Sequence, residues 1–316
     1  MRGGIRAGLI TGVLLLAVVI GIAVHFGSGE EFARLLQEAK PQWLIVALLC
    51  QAATYVCAGA VWHRALSHQG HHRSLFQMIR LGIVKVFMDQ AVPSAGISGN
   101  VLVARGLTRR GMEHRSAVAT VLAGLISFYI ANGIAVAATL VILWLTGRVS
   151  HFIAVLATVF SAILGIFLWG ILWLTRGRKR MPRWLRKIGA LKPFLSAVGD
   201  QPPHVVRDVS FFAEGTAIQL LLIALDAATL WAVLQALGRT APADGVFASY
   251  TMASVVAMLS LLPGGLGTFD GTAIALLRAF RVPLEAAVAG TVLLRGFTFV
   301  LPLIPGFWMA RKEAVK

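Results

Sequence analysis

Six apolar segments, each 20 residues or longer, occupy nearly half of the chain and restrict it to a membrane fold. They cover approximately residues 7–26, 42–62, 116–145, 152–174, 211–237 and 285–309. Hydrophobic residues make up 58% of the 316-residue chain, and charged residues only 13%, a balance that excludes an ordinary soluble domain. The sequence therefore predicts an all-α polytopic membrane protein, with a single membrane domain over residues 1–316.

Two shorter apolar segments, 75–92 and 246–262, each end at a break that contains proline and glycine. The first break reads VFMDQAVPSAGISGN (86–100), and the second reads MLSLLPGGLGTFDG (258–271). Irregular backbone at membrane depth must be buried in protein or line a wet cavity, and a helix that restarts there offers free N–H groups to an anion. We therefore expect a lipid headgroup to bind at residues of both breaks: Pro93, Gly96 and Asn100 in the first, and Gly264, Gly265 and Gly267 in the second.

The two broken regions align without a gap at an offset of 170 residues, so that Pro93 falls on Pro263 and Asn100 on Asp270. This predicts an internal repeat, with a first half at about 42–145, a second half at about 211–309 and a basic cytosolic loop at about 175–210. If each break belongs to a re-entrant hairpin, three full spans separate the hairpins, and they enter from opposite faces. The predicted architecture is thus about six transmembrane helices and two re-entrant hairpins in an inverted repeat.

The net charge of +16 is explained by topology. With cytosolic termini, the re-entrant arrangement places Arg105, Arg109, Arg110 and the run Arg176–Lys187 inside, as the positive-inside rule requires. Treating the broken segments as full spans would place the first three arginines outside. We therefore predict a multi-pass protein of a prokaryotic cytoplasmic (inner) membrane, whose basic loops contact anionic or zwitterionic lipids rather than nucleic acid.

Charged residues inside apolar segments are costly and usually functional. Arg295 lies near the middle of the last span and Asp270 at the tip of the second break, so we expect them to pair. Lys85 and Asp89 are four residues apart, where they face each other on a helix, and Asp226 is a further acid inside a span. Each pair could hold its hairpin together, relay protons or bind a lipid headgroup. We expect headgroup binding and assign it to Arg295, Asp270, Lys85 and Asp89.

Motifs for catalysis, metal binding or cofactor binding are missing from the sequence. The run HRALSHQGHHR (63–73) has four histidines, but no cysteine or carboxylate completes a metal site. Neither break has the lysine of a nucleotide-binding loop, and G-x-S-x-G and H-E-x-x-H do not occur. We expect a protein that is not an enzyme, with no catalytic residue, no metal and no cofactor.

At these breaks the sequence resembles a known family. PGGLGTFDG, after an apolar run and before a span with an arginine, is similar to the signature of the lysylphosphatidylglycerol synthase transmembrane family, also called flippase-like membrane domains. VPSAGISGN is similar to the earlier break of that family, and the resemblance covers about residues 5–312. It implies a flippase-type fold with re-entrant helices, in a stand-alone member without the soluble synthase domain. Two-domain members move aminoacylated phosphatidylglycerol, whereas stand-alone members are linked to other lipids.

We therefore expect a lipid translocator that moves a phospholipid or another polar-headgroup lipid without hydrolysing ATP. Two alternatives stay open. One is a membrane enzyme that modifies a lipid headgroup, for which His71, His72, Glu113 and His114 are the candidates. The other is a non-transporting partner that holds a separate lipid-synthesising enzyme through the run Arg176–Lys187. The sequence also leaves open a homo-oligomer.

Overall fold

The computed structural model describes residues 37–68, 70, 73–91, 97–147, 209–260 and 263–302, with the isolated residues 34, 158, 162, 165, 305, 306, 308 and 309. All regular structure among these residues is helical, which confirms the predicted all-α polytopic class. The predicted span 7–26, most of the span 152–174, nearly all of the loop 175–210 and the site residues Pro93 and Gly96 lie outside the described residues.

The first half contains four helices. They are α1 (Pro41–Ser67), α2 (Leu75–Ala91), α3 (Ile97–Arg109) and α4 (His114–Leu145). Of these, α1 and α4 are long and apolar enough to cross a membrane, which agrees with the spans predicted at 42–62 and 116–145.

The second half repeats this order. It contains α5 (Val209–Ala236), α6 (Ala243–Leu259), α7 (Thr268–Ala279) and α8 (Leu284–Arg295). A 3₁₀ turn over Pro263–Gly265 precedes α7, and a π-helical turn over Gly296–Val300 continues α8. Helix α5 has spanning length, as predicted for 211–237.

Helix boundaries in the two halves agree at the offset expected from the sequence. Adding 170 to both ends of α1, α2 and α3, and to the start of α4, gives the corresponding ends in the second half to within two residues. Helices α2, α3, α6 and α7 have 17, 13, 17 and 12 residues. At a rise of about 1.5 Å per residue they are about 18 to 26 Å long, shorter than the hydrocarbon core of about 30 Å.

Packing partners also repeat between the halves. Helix α2 packs on α3 as α6 packs on α7, and α3 packs on α4 as α7 packs on α8. The equivalent helices α1 and α5 pack along each other. Apolar clusters join the helices within each half, for example Leu81, Leu107 and Val121 in the first and Ala253 and Leu277 in the second. The halves therefore meet through α1 and α5, and each half carries its own broken hairpin.

Re-entrance makes a topological prediction that cysteine labelling tests. In a background without the two native cysteines of α1, single cysteines are introduced at the exposed residues Ser74, Glu113, Thr240 and Arg281. We expect a membrane-impermeant maleimide to reach Ser74 and Glu113 from one side of the membrane, and Thr240 and Arg281 from the other, because each pair flanks one hairpin. Labelling of Ser74 and Glu113 from opposite sides would show that the first broken segment crosses the membrane.

Candidate functional site

The second break is built on glycines. Gly264, Gly265 and Gly267 have φ of 59°, 62° and 80°, in the left-handed region that glycine adopts without steric cost. A Cβ atom on Gly265 would lie 2.3 Å from the Cβ of Ala257. These glycines therefore let the chain leave α6, turn, and pack back against the same helix before α7 begins.

Arg295 and Asp270 form the ion pair that the sequence predicted. Arg295 Nε donates to Asp270 Oδ1 at 2.8 Å, while Nη1 donates to the carbonyl of Gly264 at 3.0 Å and Nη2 to that of Gly265 at 3.3 Å. The guanidinium carbon lies 4.4 Å from the ring centroid of Phe269, within cation–π range. Because the side chains of Arg295 and Asp270 are only 10% and 11% exposed, this contact fixes α8 to the irregular backbone of the break.

Asp270 also closes the N-terminus of α7. Its Oδ2 accepts a hydrogen bond from the backbone N–H of Gly267 at 2.9 Å. Gly267 is one of the residues at which we expect a lipid headgroup, and its backbone N–H is paired with a carboxylate of the same helix. The cationic group that faces open space at this break is thus Arg295.

The first break uses the same chemistry with residues at different positions. Lys85 Nζ lies 2.7 Å from Asp89 Oδ2, as expected from their spacing. Asp89 Oδ1 accepts from the backbone N–H of Gly99 at 3.0 Å. A Cβ on Gly99 would lie 2.2 Å from Asp89 Oδ1, so glycine is needed for this approach. In both halves a carboxylate binds an amide near the start of the helix after the break and also binds a basic side chain.

Both breaks face one cavity with a volume of about 520 Å³. Its walls come from all eight helices, α1 to α8, and it reaches the 3₁₀ turn of the second break. Among the predicted site residues, six line this cavity: Lys85, Asp89, Asn100, Gly264, Gly265 and Arg295. Asp270 does not line the cavity but contacts Arg295, which does. Gly267 does not line the cavity either. Residues predicted at the two breaks therefore lie around one cavity.

Polar residues on the long helices contribute a wall that sequence reasoning missed. Gln51 and Tyr55 of α1, Gln219 of α5 and Tyr250 of α6 line the cavity, together with Asp226 of α5. The signal was present in the sequence, because residues 51, 55, 58 and 62 lie on one face of a helix. Averaging hydropathy over a whole span conceals such a face.

Two of the four residues considered for lipid-modifying chemistry lie elsewhere. Glu113 and His114 are exposed at the start of α4 and do not line the cavity, and His71 and His72 are outside the described residues. In the part of the chain that the structure describes, no three His, Cys, Asp or Glu side chains are grouped in a way that could hold a metal ion.

Comparison with known proteins gives one family over nearly the whole chain. The family model for the lysylphosphatidylglycerol synthase TM region matches residues 9–306. A UPF0104 membrane protein of Methanothermobacter thermautotrophicus is 26% identical over 324 aligned residues, which cover 92% of this chain and 90% of the relative. Another UPF0104 membrane protein of that organism is 26% identical over 113 residues, or 36% of this chain and 32% of the relative. The family match includes both breaks and all the cavity-lining residues.

The Arg295 contacts predict a specific loss of stability. In Arg295→Lys, the charge remains but the side chain cannot bond the carboxylate and two carbonyls together. We expect a loss of about 1–3 kcal/mol, measured as a lower melting temperature in detergent. Arg278→Lys, at an exposed arginine of α7, is the control. Equal melting temperatures for the two variants would mean that Arg295 does not hold the break.

The close approach of Gly99 to Asp89 gives a second stability prediction. In Gly99→Ala the new methyl group displaces the Asp89 carboxylate, and we expect a lower melting temperature. The control Gly271→Ala has open space around its Cβ and should be neutral or stabilising by up to about 1 kcal/mol. In an Asp89→Ala background, Gly99→Ala should cost much less. If Gly99→Ala lowers the melting temperature equally in the Asp89→Ala background, the new methyl group clashes with a group other than Asp89.

Proposed function

The chain belongs to the lysylphosphatidylglycerol synthase TM region family, and from this premise we propose that it moves a polar-headgroup lipid across the membrane without altering it chemically. The family gives the chain a lipid-related membrane function. Translocation is supported above all by one observation, the cavity on which the broken hairpins of both halves converge.

Two cations of the cavity retain donors for a lipid phosphate. A guanidinium group has five N–H bonds, and the four hydrogen bonds of Arg295 leave one N–H on Nη1. Lys85 uses one of its three N–H bonds on Asp89. A phosphate can therefore bind both side chains while their ion pairs stay intact, through charge-assisted hydrogen bonds.

The size and surroundings of the cavity suit a headgroup. A volume of about 520 Å³ lies in the range of small-molecule sites, and the long helices around it are apolar. In our proposal the headgroup enters the cavity while the acyl chains remain in the bilayer. The membrane is the cytoplasmic membrane of a prokaryote, and both termini are cytosolic.

The repeated architecture supports a transport cycle. Inverted repeats allow one half to rock against the other, so that a central site opens to each side in turn. In our proposal the hairpins α2–α3 and α6–α7 enter from opposite faces, and each restricts one entrance. The alternative of a lipid-modifying enzyme is less favoured, because Glu113 and His114 lie outside the cavity.

Lipid translocation in proteoliposomes tests this function. Vesicles contain fluorescent phosphatidylglycerol or phosphatidylethanolamine, and external dithionite reports the arrival of labelled lipid in the outer leaflet. We expect wild-type protein to accelerate exchange for at least one lipid, and Lys85→Met to slow it about tenfold, because a charge-assisted hydrogen bond is worth about 1.5–3 kcal/mol.

Lys40→Met, at an exposed lysine, is the matched control and should transport like wild type. Folding of each variant is checked by its elution as a single species in detergent. Two results would refute the proposal: wild-type vesicles that exchange lipid no faster than empty ones, or equal rates for Lys85→Met and Lys40→Met.

A further inference from the structure

The wall of the cavity on α5 carries a carboxylate whose surroundings differ from those of the two paired acids. Tyr250 Oη donates to Asp226 Oδ2 at 2.8 Å, and the Gln51 side chain also interacts with Asp226. Asp89 and Asp270 each have a basic partner. Among the described residues, no basic side chain forms an ion pair with Asp226.

The groups that face Asp226 come from several helices. Tyr55 and Cys57 of α1 lie close enough to interact electrostatically with it. Arg295 of α8 lines the same cavity. Tyr129 of α4 and the Lys85–Asp89 pair of α2 line the same cavity.

Gln51, the other polar neighbour of Asp226 in the cavity wall, contains a buried acceptor without a donor among the described residues. Its side chain is deeply buried, with 3% of the residue exposed, and Nε2 donates to Thr54 Oγ1 at 2.9 Å. Its Oε1 lacks a hydrogen-bond donor, and a buried acceptor without a donor is costly. Protonation of Asp226 would remove an uncompensated charge from the low-dielectric interior.

We propose that Asp226 is a proton-binding site and that its proton is carried together with an anionic lipid headgroup. This proposal rests on the translocator function proposed above. The proton moves from water in the open cavity to a carboxylate oxygen, and it returns to water when the cavity opens to the other side. No oxidation or reduction is involved.

The charges of the cavity explain the coupling. Among the charged residues that the structure describes in the lining, Lys85 is balanced by Asp89 and Arg295 by Asp270, which leaves the charge of Asp226. The cavity is negative when Asp226 is ionised and neutral when it is protonated. An anionic headgroup is repelled in the first state and accepted in the second. By thermodynamic linkage, proton binding at Asp226 favours binding of the anionic headgroup, and headgroup binding favours protonation of Asp226.

Structural contacts connect Asp226 with the headgroup cation. Tyr250, which binds Asp226, packs edge-on against Phe269 with ring centroids 5.7 Å apart. Phe269 in turn lies beneath the Arg295 guanidinium. A change at Asp226 is therefore transmitted through two aromatic rings to the group that we assign to the phosphate.

Asp226→Asn tests the proposal in proteoliposomes with fluorescent phosphatidylglycerol. With equal pH on both sides, we expect the wild-type rate to rise about tenfold from alkaline to acidic pH, because protonation admits the anion. The rate of Asp226→Asn should not depend on pH. In wild type, an imposed pH gradient should drive accumulation of the labelled phosphatidylglycerol, and an internal pH dye should show proton uptake. Asp244→Asn should behave like wild type. Asp244 is an exposed acid on α6 and serves as the control.

A second variant guards against misfolding of Asp226→Asn. Tyr250→Phe keeps the ring on Phe269 but removes the donor to the ionised carboxylate. The pH midpoint of transport should therefore move upward. An unchanged midpoint would count against Asp226 as the group that titrates.

The outcomes separate this proposal from the proposed function. If wild type transports lipid at a rate independent of pH, or if Asp226→Asn keeps the pH dependence, proton coupling is overturned and translocation stands. If Asp226→Asn loses transport of phosphatidylethanolamine alone, at every pH, Asp226 instead binds a headgroup amine. If wild type transports no lipid, the translocator function fails. Infrared spectra then decide proton binding: a carboxylic acid band present in wild type and absent in Asp226→Asn supports it, and no such band overturns it.

Discussion

The Asp270–Arg295 pair is the interaction on which the second broken hairpin depends. Backbone groups released by a break have no water to bind at membrane depth. Arg295 donates hydrogen bonds to the carbonyls of Gly264 and Gly265, and Asp270 accepts one from the backbone N–H of Gly267. Two charges that would each be costly alone therefore compensate each other and the irregular backbone. Removing one member of such a buried pair typically costs about 3–5 kcal/mol of stability. Loss of the pair would therefore also destabilise the break.

The first half meets the same physical requirement with other residues. Its carboxylate, Asp89, comes from the helix before the break, whereas Asp270 belongs to the helix after it. Comparison at the offset of 170 places Asn100 opposite Asp270 and Leu125 opposite Arg295, and thus misses the similarity. What the two halves share is a set of contacts, in which a carboxylate joins a helix amide to a cation.

Local patterns predicted the parts of this structure that depend on local sequence. Hydropathy predicted α1, α4 and α5, and helical spacing predicted the Lys85–Asp89 contact. The shared cavity depends on how α1 packs along α5, which no local pattern encodes. The Gly267 amide was assigned to a ligand because a helix start was treated in isolation, whereas a carboxylate three residues later satisfies it. Tyr250 was missed because it lies within a largely apolar run.

Helix order and packing repeat between the halves, but the polar side chains do not. At the offset of 170, Asp226 corresponds to Val56 and Tyr250 to Arg80. Two halves with identical side chains would give the cavity the same energy whichever side it opened to. Because, among the described residues, the carboxylate without a basic partner lies in the second half, the two arrangements differ in energy. In the transport cycle that we propose, the repeated helices provide the motion, and the unequal polar residues determine which side releases the proton and its lipid.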